Sequence, residues 1–397
     1  MALPELPPEP SPAEIADAMD GVVRPARFDP ERHQAYLPSP VVQNHAANLI
    51  ELANGDLGCV WFGGTMEGMG DISIYFSRLD RQRDAWSPPA KLSDDATRSE
   101  QNPVLFYAPD RRLWLVFTSQ PAGNQDEAIV KYRLSDDDGQ TFGPVGVLWE
   151  EPGTFVRQSP LIAGDRWVLP LFLCHSLSGQ RWRGDADRSA LLVSTDAGRT
   201  WQRRDVPGSV GCVHMNILPA GAGFLALYRS RYADAVKLSR SADGLTWSAP
   251  ADTVLPNNNS SIQARRLADG RLVIAYNESS ASTSSERRAS LYDEIEGSTG
   301  GAKAEVAAAR PAIWGVPRAP LMLALSADDG RTFPQRRKVA GGSGYCLSNN
   351  SQDRLNREYS YPSVLQSRDG QLHLAFTAYR RAIQYVRVTP GWIGGIA

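Results

Sequence analysis

The sequence predicts an all-β protein, a six-bladed β-propeller of four-stranded antiparallel blades, on the basis of three observations. A turn motif, Ser-x-Asp-x-Gly-x-Thr-aromatic, recurs along the 397 residues. Six short polar turns, most of them containing glycine, each lead into an apolar strand. Most neighbours in this second series start roughly 50 to 57 residues apart, and a period of this size with four strands per repeat is typical of propeller blades.

The turn motif occurs as SDDDGQTF at residues 135–142, STDAGRTW at 194–201, SADGLTW at 241–247 and SADDGRTF at 326–333. Asp and Gly tolerate the conformations of tight turns, and Ser and Asp oxygens accept hydrogen bonds from nearby backbone N–H groups. Each copy follows an apolar, strand-like run, so we expect a hairpin turn between two short strands. A degenerate copy is expected around residues 77–86. Turn chemistry explains every position of the motif, which therefore predicts a role in folding.

The second series sets the number of blades. Its six members begin at Asn54, Pro109, Gly164, Gly221, Asp269 and Asp369. The last interval is about twice as long as the others and holds a Ser- and Ala-rich stretch, which predicts a loop or flap inserted in one blade at about residues 279–312. We expect residues 1–40 to form a loose N-terminal arm. Residues 41–397 are expected to form one propeller, because each blade buries its faces only against its neighbours.

Composition argues against several classes of function. The formal net charge of −2 gives no reason to expect a nucleic acid or an anionic membrane as partner, and no apolar run is long enough for a transmembrane helix. The acidic, proline-rich start lacks the basic and apolar segments of a signal peptide, so we expect a cytoplasmic protein. The four cysteines have no paired spacing and are expected to be buried free thiols. No metal site and no cofactor is predicted.

Polar residues occupy the strands that precede the six turns, where the inner strands of a propeller are expected. These strands span 43–49, 100–106, 154–161, 211–217, 257–266 and 357–364. A strand buried at the axis is expected to carry Val, Ile and Leu. Each of the six strands carries His, Asn, Gln, Arg or Tyr instead. Buried polar groups are costly unless they are hydrogen-bonded. We therefore expect a polar pocket at the axis, with Asn102, Gln158 and Asn259 among the groups that contact a substrate.

From about residue 41 to residue 388 the chain resembles the sialidase superfamily, whose members carry the same turn repeats. In that family three arginines hold the substrate carboxylate, a tyrosine activated by a glutamate is the nucleophile, and an aspartate on a mobile loop is the acid/base. The resemblance implies that Tyr361, in YSYPSV, is the nucleophile. Arg318, in RAPLMLALSADDG, matches the third arginine. Arg229 and Arg231, in LALYRSRYAD, both match the second.

The acid/base loop and two departures complete the comparison with that family. Glu67 and Asp71, in GGTMEGMGDISI, occupy the loop, although Asp71 also matches a structural aspartate of the family. His45 stands where the family has its first arginine, and His214 stands where it has the glutamate that activates tyrosine. Arg157 is an additional cation that is expected to replace the missing arginine. Because the set of carboxylate-binding residues differs from that of the family, the acidic sugar could be a sialic acid or a uronic acid.

The same residues indicate an acidic oligosaccharide as partner on chemical grounds alone. Arginine binds carboxylates through paired, charge-assisted hydrogen bonds. The cationic candidates are Arg157, Arg229, Arg231 and Arg318. A tyrosine hydroxyl, with a pKa near 10, is a poor nucleophile until arginines favour its phenolate and a base takes its proton. His214 and His45 suit that general acid/base role, because histidine titrates near neutral pH.

These residues support two reactions. In the first, Tyr361 attacks an anomeric carbon, His214 activates it, and Glu67 or Asp71 protonates the leaving group, which gives hydrolysis of an acidic sugar with retention. In the second, an arginine neutralises a uronate carboxylate, and a histidine or tyrosine removes the adjacent proton so that β-elimination breaks the glycosidic bond. The second reaction explains the two histidines better. The first explains the order of the blades better, and we favour it.

A third hypothesis is a glycan-binding propeller without catalytic activity. It predicts exposed aromatic platforms on which sugar rings stack, and Trp182, Trp314 and Tyr292 are the candidates. Clustered Arg, His and Tyr residues favour catalysis over stacking alone.

Overall fold

Six antiparallel sheets surround a central axis and form a six-bladed β-propeller, as the sequence predicts. The computed structural model describes residues 9–178, 180–288 and 310–394. Helices are few in these ranges: α1 (Pro12–Asp17), α2 (Pro390–Gly394) and two 3₁₀ turns at Gln125–Glu127 and Ser351–Asp353.

Two strands precede the first blade, namely β1 (Arg24–Ala26) and β2 (Asp29–Tyr36). Blade 1 contains β3 (Gln43–Glu51), β4 (Leu57–Gly64), β5 (Ser73–Asp80), β6 (Ala85–Trp86) and β7 (Ala90–Lys91). Blade 2 contains β8 (Arg98–Tyr107), β9 (Leu113–Pro121), β10 (Ile129–Ser135) and β11 (Gly146–Trp149). Blade 3 contains β12 (Thr154–Val156), β13 (Leu161–Ala163), β14 (Arg166–Leu173), β15 (Arg188–Ser194) and β16 (Gln202–Asp205).

Blade 4 contains β17 (Cys212–Ala220), β18 (Gly223–Ser230), β19 (Ala235–Ser241) and β20 (Ala251–Pro256). Blade 5 contains β21 (Gln263–Arg266), β22 (Leu272–Asn277), β23 (Leu321–Ser326) and β24 (Gln335–Ala340). Blade 6 contains β25 (Tyr359–Gln366), β26 (Leu372–Ala378) and β27 (Ala382–Val388). The first strand of each blade is the innermost, and apolar clusters fill the space between neighbouring blades.

The ring closes through the N-terminal segment, which differs from the loose arm expected for residues 1–40. Strand β2 pairs with β27, and β1 pairs with β2, so that blade 6 has the order β1-β2-β27-β26-β25. The chain after β27 supplies no further strand to blade 6 within the described residues. Without β2, the backbone N–H and C=O groups of β27 would form an unpaired edge. The N-terminal segment covers that edge.

The repeated turns join the two outer strands of blades 2 to 5, as predicted. In the first copy, Ser135 Oγ accepts a hydrogen bond from Gly139 N at 2.8 Å, and Asp137 Oδ1 accepts one from Thr141 N at 2.8 Å. The aromatic residue Phe142 packs against Phe76 of blade 1 with ring centroids 5.8 Å apart. The motif therefore fixes the turn internally and pins it to the preceding blade.

The predicted insertion lies in the chain between β22 and β23 of blade 5. Residues 289–309, which make up most of it, are outside the described residues. On its described flanks, Arg288 forms an isolated β-bridge with Trp314. All four cysteines are buried and free. Within the described ranges, no helix combines the length and the apolar composition that crossing a membrane requires.

Candidate active site

Bulges in the inner strands bring side chains to one level of the axis. The backbone register shifts within β3, β8, β17 and β25. Each bulge holds a residue other than glycine in the left-handed region, and Asn259 adopts the same conformation ahead of β21. These residues are Ala46, Asn102, His214, Asn259 and Tyr361, with φ between 50° and 61°. Such residues are uncommon and often lie at functional sites. His214 and Tyr361, each in a bulge, lie with ring centroids 5.7 Å apart, and Arg229 hydrogen-bonds to both Tyr361 and Asn259.

Some of the polar residues in the inner strands hold the blades together. Asn48 Oδ1 accepts a hydrogen bond from Leu105 N at 2.9 Å, which joins blade 1 to blade 2. Asn216 Oδ1 accepts one from Ala264 N at 2.6 Å, which joins blade 4 to blade 5. Part of the polar pattern in the sequence therefore reflects contacts between blades and not a binding site.

Tyr361 lies at the centre of the site and is 6% exposed. Its hydroxyl accepts a hydrogen bond from Arg229 Nη1 at 2.6 Å. The guanidinium carbons of Arg157, Arg229 and Arg318 lie 5.3, 5.6 and 5.7 Å from the centroid of its ring. Positive charge on several sides of the ring stabilises negative charge that develops on the oxygen during a reaction. The position of Tyr361 agrees with the role of nucleophile that the resemblance to sialidases implies for it.

The structure separates Arg229 from Arg231, which the sequence alone does not. Arg231 forms a buried ion pair with Asp187, with Nη2 2.6 Å from Oδ2. Arg229 has no carboxylate partner among the described residues, and its Nη2 is buried without a hydrogen-bond partner there. Asn259 Oδ1 accepts hydrogen bonds from Arg229 Nε at 2.8 Å and from Arg231 Nη1 at 3.4 Å. Burial lowers the pKa of Arg229 to about 9. Arg229 therefore presents an unused donor and an unpaired charge to the site.

Arg318 belongs to a buried chain of alternating charges that also contains Glu67. Arg318 Nη1 donates to Glu358 Oε2 at 2.7 Å, and Arg380 donates to both Glu358 and Glu67. Burial raises the pKa of Glu358, but the positive charges of Arg380 and Arg318 outweigh burial and lower it. The carboxylate of Glu67 is thus bound to an arginine in this closed arrangement.

Arg380 and Glu358 belong to this buried chain beside Tyr361, and the sequence analysis did not name them. Glu358 lies one position before β25, within the polar stretch that contains Tyr361, so the same signal points to it. Arg380 lies in the turn between β26 and β27. No motif marks that turn, and only the folded ring brings it beside Glu67.

Arg157 joins blades and does not replace a clamp arginine, contrary to expectation. Its Nη1 and Nη2 each donate to Ala47 O at 3.1 Å, and Nη2 also donates to Tyr361 O at 3.2 Å. Its Nε donates to Ser261 Oγ at 3.2 Å. The donors are therefore committed to neighbouring strands. Gln158, also expected to contact substrate, donates to Ile262 O at 2.8 Å and is likewise committed.

Two neutral histidines flank Tyr361. The ring centroids of His45 and Tyr361 are 4.2 Å apart, and those of His214 and Tyr361 are 5.7 Å apart. His45 Nδ1 contacts Thr377 Oγ1 at 2.8 Å, whereas its Nε2 is buried without a partner in the described structure. His214 Nδ1 contacts Ser261 Oγ at 3.0 Å. Burial, with further effect from nearby arginines, lowers the pKa of both rings well below the usual value, so neither ring titrates near neutral pH, contrary to the expectation from the sequence.

Asp71 and Asn102 stand apart from these contacts. The exposed Asp71 accepts a hydrogen bond from Thr65 N through Oδ2 at 2.9 Å and so braces its own loop. This contact agrees with the structural role that the sequence left open for Asp71. Asn102 occupies the left-handed position of the blade 2 bulge, and its Oδ1 has no hydrogen-bond partner among the described residues.

Three segments cover the site: residues 65–72, 310–318 and 341–357. Met66 and Asn350 form an isolated antiparallel bridge, which joins the first segment to the third. The Trp314 ring lies 5.0 Å from the guanidinium carbon of Arg231 and 5.7 Å from that of Arg229. The cavity beside Arg318 and Trp314 has a volume of about 10 Å³, enough for about one water molecule. The cover must move before a sugar can enter.

Of the three aromatic candidates, Trp182 and Trp314 do not form an exposed platform. Trp182 and Trp314 are each 4% exposed and pack against Arg231. Tyr292 lies outside the described residues.

The buried charges of the site do not balance. The cations are Arg157, Arg229, Arg231, Arg318 and Arg380. The carboxylates bound to them are Asp187, Glu67 and Glu358. With both histidines neutral, the described groups carry an excess of two positive charges. A buried excess of this kind is stabilised by an anion from outside.

The protein is a six-bladed β-propeller with a tyrosine among arginines at its axis. Residues 55–374 match the family model described as the BNR repeat-like domain. Because the match spans more than half of the chain, the protein belongs to this family. No curated protein sequence matches the chain.

Solved structures share the fold at low sequence identity. The Hadza microbial sialidase Hz136 is 12% identical with a TM-score of 0.65, over 89% of this chain and 67% of that one. The NanB sialidase of Streptococcus pneumoniae is 11% identical with a TM-score of 0.62, over 89% and 69%. A protein of unknown function from Dyadobacter fermentans is 14% identical with a TM-score of 0.64, over 90% and 99%. Identities this low establish the fold alone.

Proposed function

We propose that the protein is a glycoside hydrolase that removes an acidic sugar, of the sialic or uronic acid type, from a glycan. The observation that carries the proposal is the hydrogen bond from Arg229 to the Tyr361 hydroxyl, in a buried site with more cations than carboxylates. The fold shared with solved sialidases supports the same reading.

Arg229 and Arg318 are the residues that bind the substrate carboxylate. Arg229 offers an Nη2 without a hydrogen-bond partner among the described residues. The guanidinium carbon of Arg318 lies 5.7 Å from the centroid of the Tyr361 ring, and Arg318 has one carboxylate neighbour, Glu358. Charge-assisted hydrogen bonds to a carboxylate are strong where water is excluded. A carboxylate bound at Arg229 would also reduce the excess of positive charge in the site.

The reaction proceeds through a covalent intermediate. The Tyr361 oxygen bonds to the anomeric carbon as the glycosidic bond breaks, and its proton passes to a neutral histidine, His214 or His45. Glu67, released from Arg380 when the cover moves, takes up a proton from solvent and gives it to the leaving oxygen. Water then attacks the anomeric carbon and gives one proton to Glu67. The bond between the sugar and the Tyr361 oxygen breaks, and the histidine returns its proton to that oxygen.

Assays on a panel of sialylated and uronate-containing oligosaccharides test this proposal. The expected product is a free acidic sugar, with one water added. Tyr361→Phe should reduce turnover at least about 1,000-fold, because the nucleophile is lost. Tyr359→Phe is the matched control: its hydroxyl contacts the Tyr379 hydroxyl at 3.3 Å, and activity should persist. An active Tyr361→Phe enzyme would refute the mechanism.

A polysaccharide lyase is the second candidate, favoured by one specific observation. His45 is neutral, its Nε2 is unpartnered, and its ring packs on Tyr361, which suits a base that removes the proton beside a uronate carboxylate. Elimination leaves an unsaturated uronate, which absorbs ultraviolet light, and adds no water. Absorbing products from uronate-containing glycans would favour this reaction over hydrolysis.

A further inference from the structure

A second cavity opens at the other end of the axis. The site described above lies near the beginning of the inner strands, at His45 and Tyr361, whereas this cavity lies near their ends, at Leu49 and Leu365. Its volume is about 370 Å³, within the range of pockets that hold small molecules.

Side chains that hydrogen-bond across the axis separate the two sites. Gln263 Nε2 donates to Gln158 Oε1 at 3.1 Å, and Ser363 Oγ donates to Gln263 Oε1 at 2.9 Å. Arg157 fills the space on the side of Tyr361 through its contacts with Ala47 and Ser261. A ligand in the second cavity therefore does not reach Tyr361.

Arg265 brings an unpaired positive charge to the wall of this cavity. Its Nε donates to Val364 O at 3.2 Å and its Nη2 to Ser159 Oγ at 3.4 Å, and both acceptors are uncharged. The lining contains no Asp or Glu, and no ion pair joins Arg265 to a carboxylate in the described ranges. Burial lowers the pKa of Arg265. A partly buried guanidinium without a carboxylate partner is available to bind an anion through charge-assisted hydrogen bonds.

The neighbouring Arg266 lines the same cavity, but it forms an ion pair with Asp329. Its Nη2 contacts Asp329 Oδ1 at 2.6 Å and Pro219 O at 2.7 Å, and its Nη1 donates to Gly270 O at 2.9 Å. Its charge is therefore balanced within the protein. Only one net charge remains at the cavity, so a ligand with a single negative charge would match it.

The rest of the wall is mostly apolar. Leu49 of blade 1, Leu105 of blade 2 and Leu365 of blade 6 belong to its lining, and Leu365 is the partly exposed one of the three. Apolar walls favour a ligand body without further charges, and a planar guanidinium fork matches a carboxylate.

We infer that this cavity binds a small organic monocarboxylate with an apolar body, its carboxylate on Arg265 and its body against the leucines. The site is independent of the proposed hydrolysis.

Isothermal titration with benzoate and octanoate tests the inference, with benzamide as the uncharged control. Wild type should bind the carboxylates and not the amide. Arg265→Gln should weaken binding roughly 10- to 100-fold, because a hydrogen-bonded charge partner is lost. Arg266→Gln, the matched control, should change affinity less than about twofold, since its charge is already paired.

Further variants keep the inference falsifiable. Arg229→Gln should leave binding unchanged, and a loss confined to that variant would assign the ligand to the Tyr361 site. If Arg265→Gln does not fold, Ser159→Phe should abolish binding by filling the cavity. Absence of carboxylate binding to the wild-type protein, or equal binding by Arg265→Gln, would overturn the inference.

Discussion

Arg229 and Arg231 show how strongly a residue's role depends on partners that are distant in sequence. The two are two positions apart at the end of β18 and share a face of the strand. Asp187, from the preceding blade, pairs with Arg231 alone. The sequence predicts that both face the pocket but not which one stays unpaired, because that depends on how blade 3 meets blade 4.

This difference predicts opposite effects of two matched substitutions. Arg231→Gln leaves Asp187 buried and unpaired, and we expect the free energy of unfolding to fall by about 3–5 kcal/mol. Arg229→Gln breaks no ion pair, so stability should be nearly unchanged while KM for the acidic substrate rises. Urea denaturation and steady-state kinetics measure the two effects. Equal stability of both variants would contradict the assignment of roles.

At the scale of the element, the inner strand is where the sequence was most informative. Its polar residues pointed to the axis, where the structure brings Tyr361 and the arginines together. The bulges within β3, β8, β17 and β25 were not predicted, because left-handed residues such as Ala46 and Tyr361 carry no sequence mark when glycine is absent. Polar residues that hold blades together, such as Asn48, cannot be told from site residues in the sequence.

The bulge of blade 1 offers a direct test of backbone strain. Ala46 has φ of 61°, whereas its neighbour Ala47 has no positive φ, and both are fully buried. A left-handed residue other than glycine costs about 1–2 kcal/mol. Ala46→Gly should therefore be more stable than Ala47→Gly by about that amount, since both lose one buried methyl group. Chemical denaturation of the two variants measures the difference, and equal stabilities would mean that the bulge is unstrained.

The cover is an element whose closure can be fixed. Met66 and Asn350 are bridge partners, so cysteines at both positions are close enough to form a disulfide. Oxidation of Met66→Cys/Asn350→Cys should lower turnover at least about tenfold, because the cover must open to admit a sugar, and reduction should restore it. The single variants under the same oxidant are the controls. Full activity with the disulfide formed would show that substrate enters by another route.

At the scale of the molecule, the repeats predicted six blades correctly because each blade carries its own copy of the strand signal. The closure of the ring by β2 was not predicted, because β2 contains no copy of the repeated strand signal. A segment without that signal was therefore expected to be a loose arm. Its pairing with β27 is visible only once the two chain ends meet.

Closure by β2 predicts that the N-terminal segment is required for stability. Deleting residues 1–36 removes β1 and β2, exposes the edge of β27 and uncovers Tyr385 and neighbouring apolar groups. We expect the midpoint of thermal unfolding to fall by roughly 10 °C or more, with aggregation through the open edge. Deleting residues 1–20 is the matched control: it removes α1 but keeps both strands, so its effect should be clearly smaller. Thermal unfolding and size-exclusion chromatography compare the two deletions. Equal unfolding midpoints for the two deletions would show that the pairing of β2 with β27 does not contribute to stability.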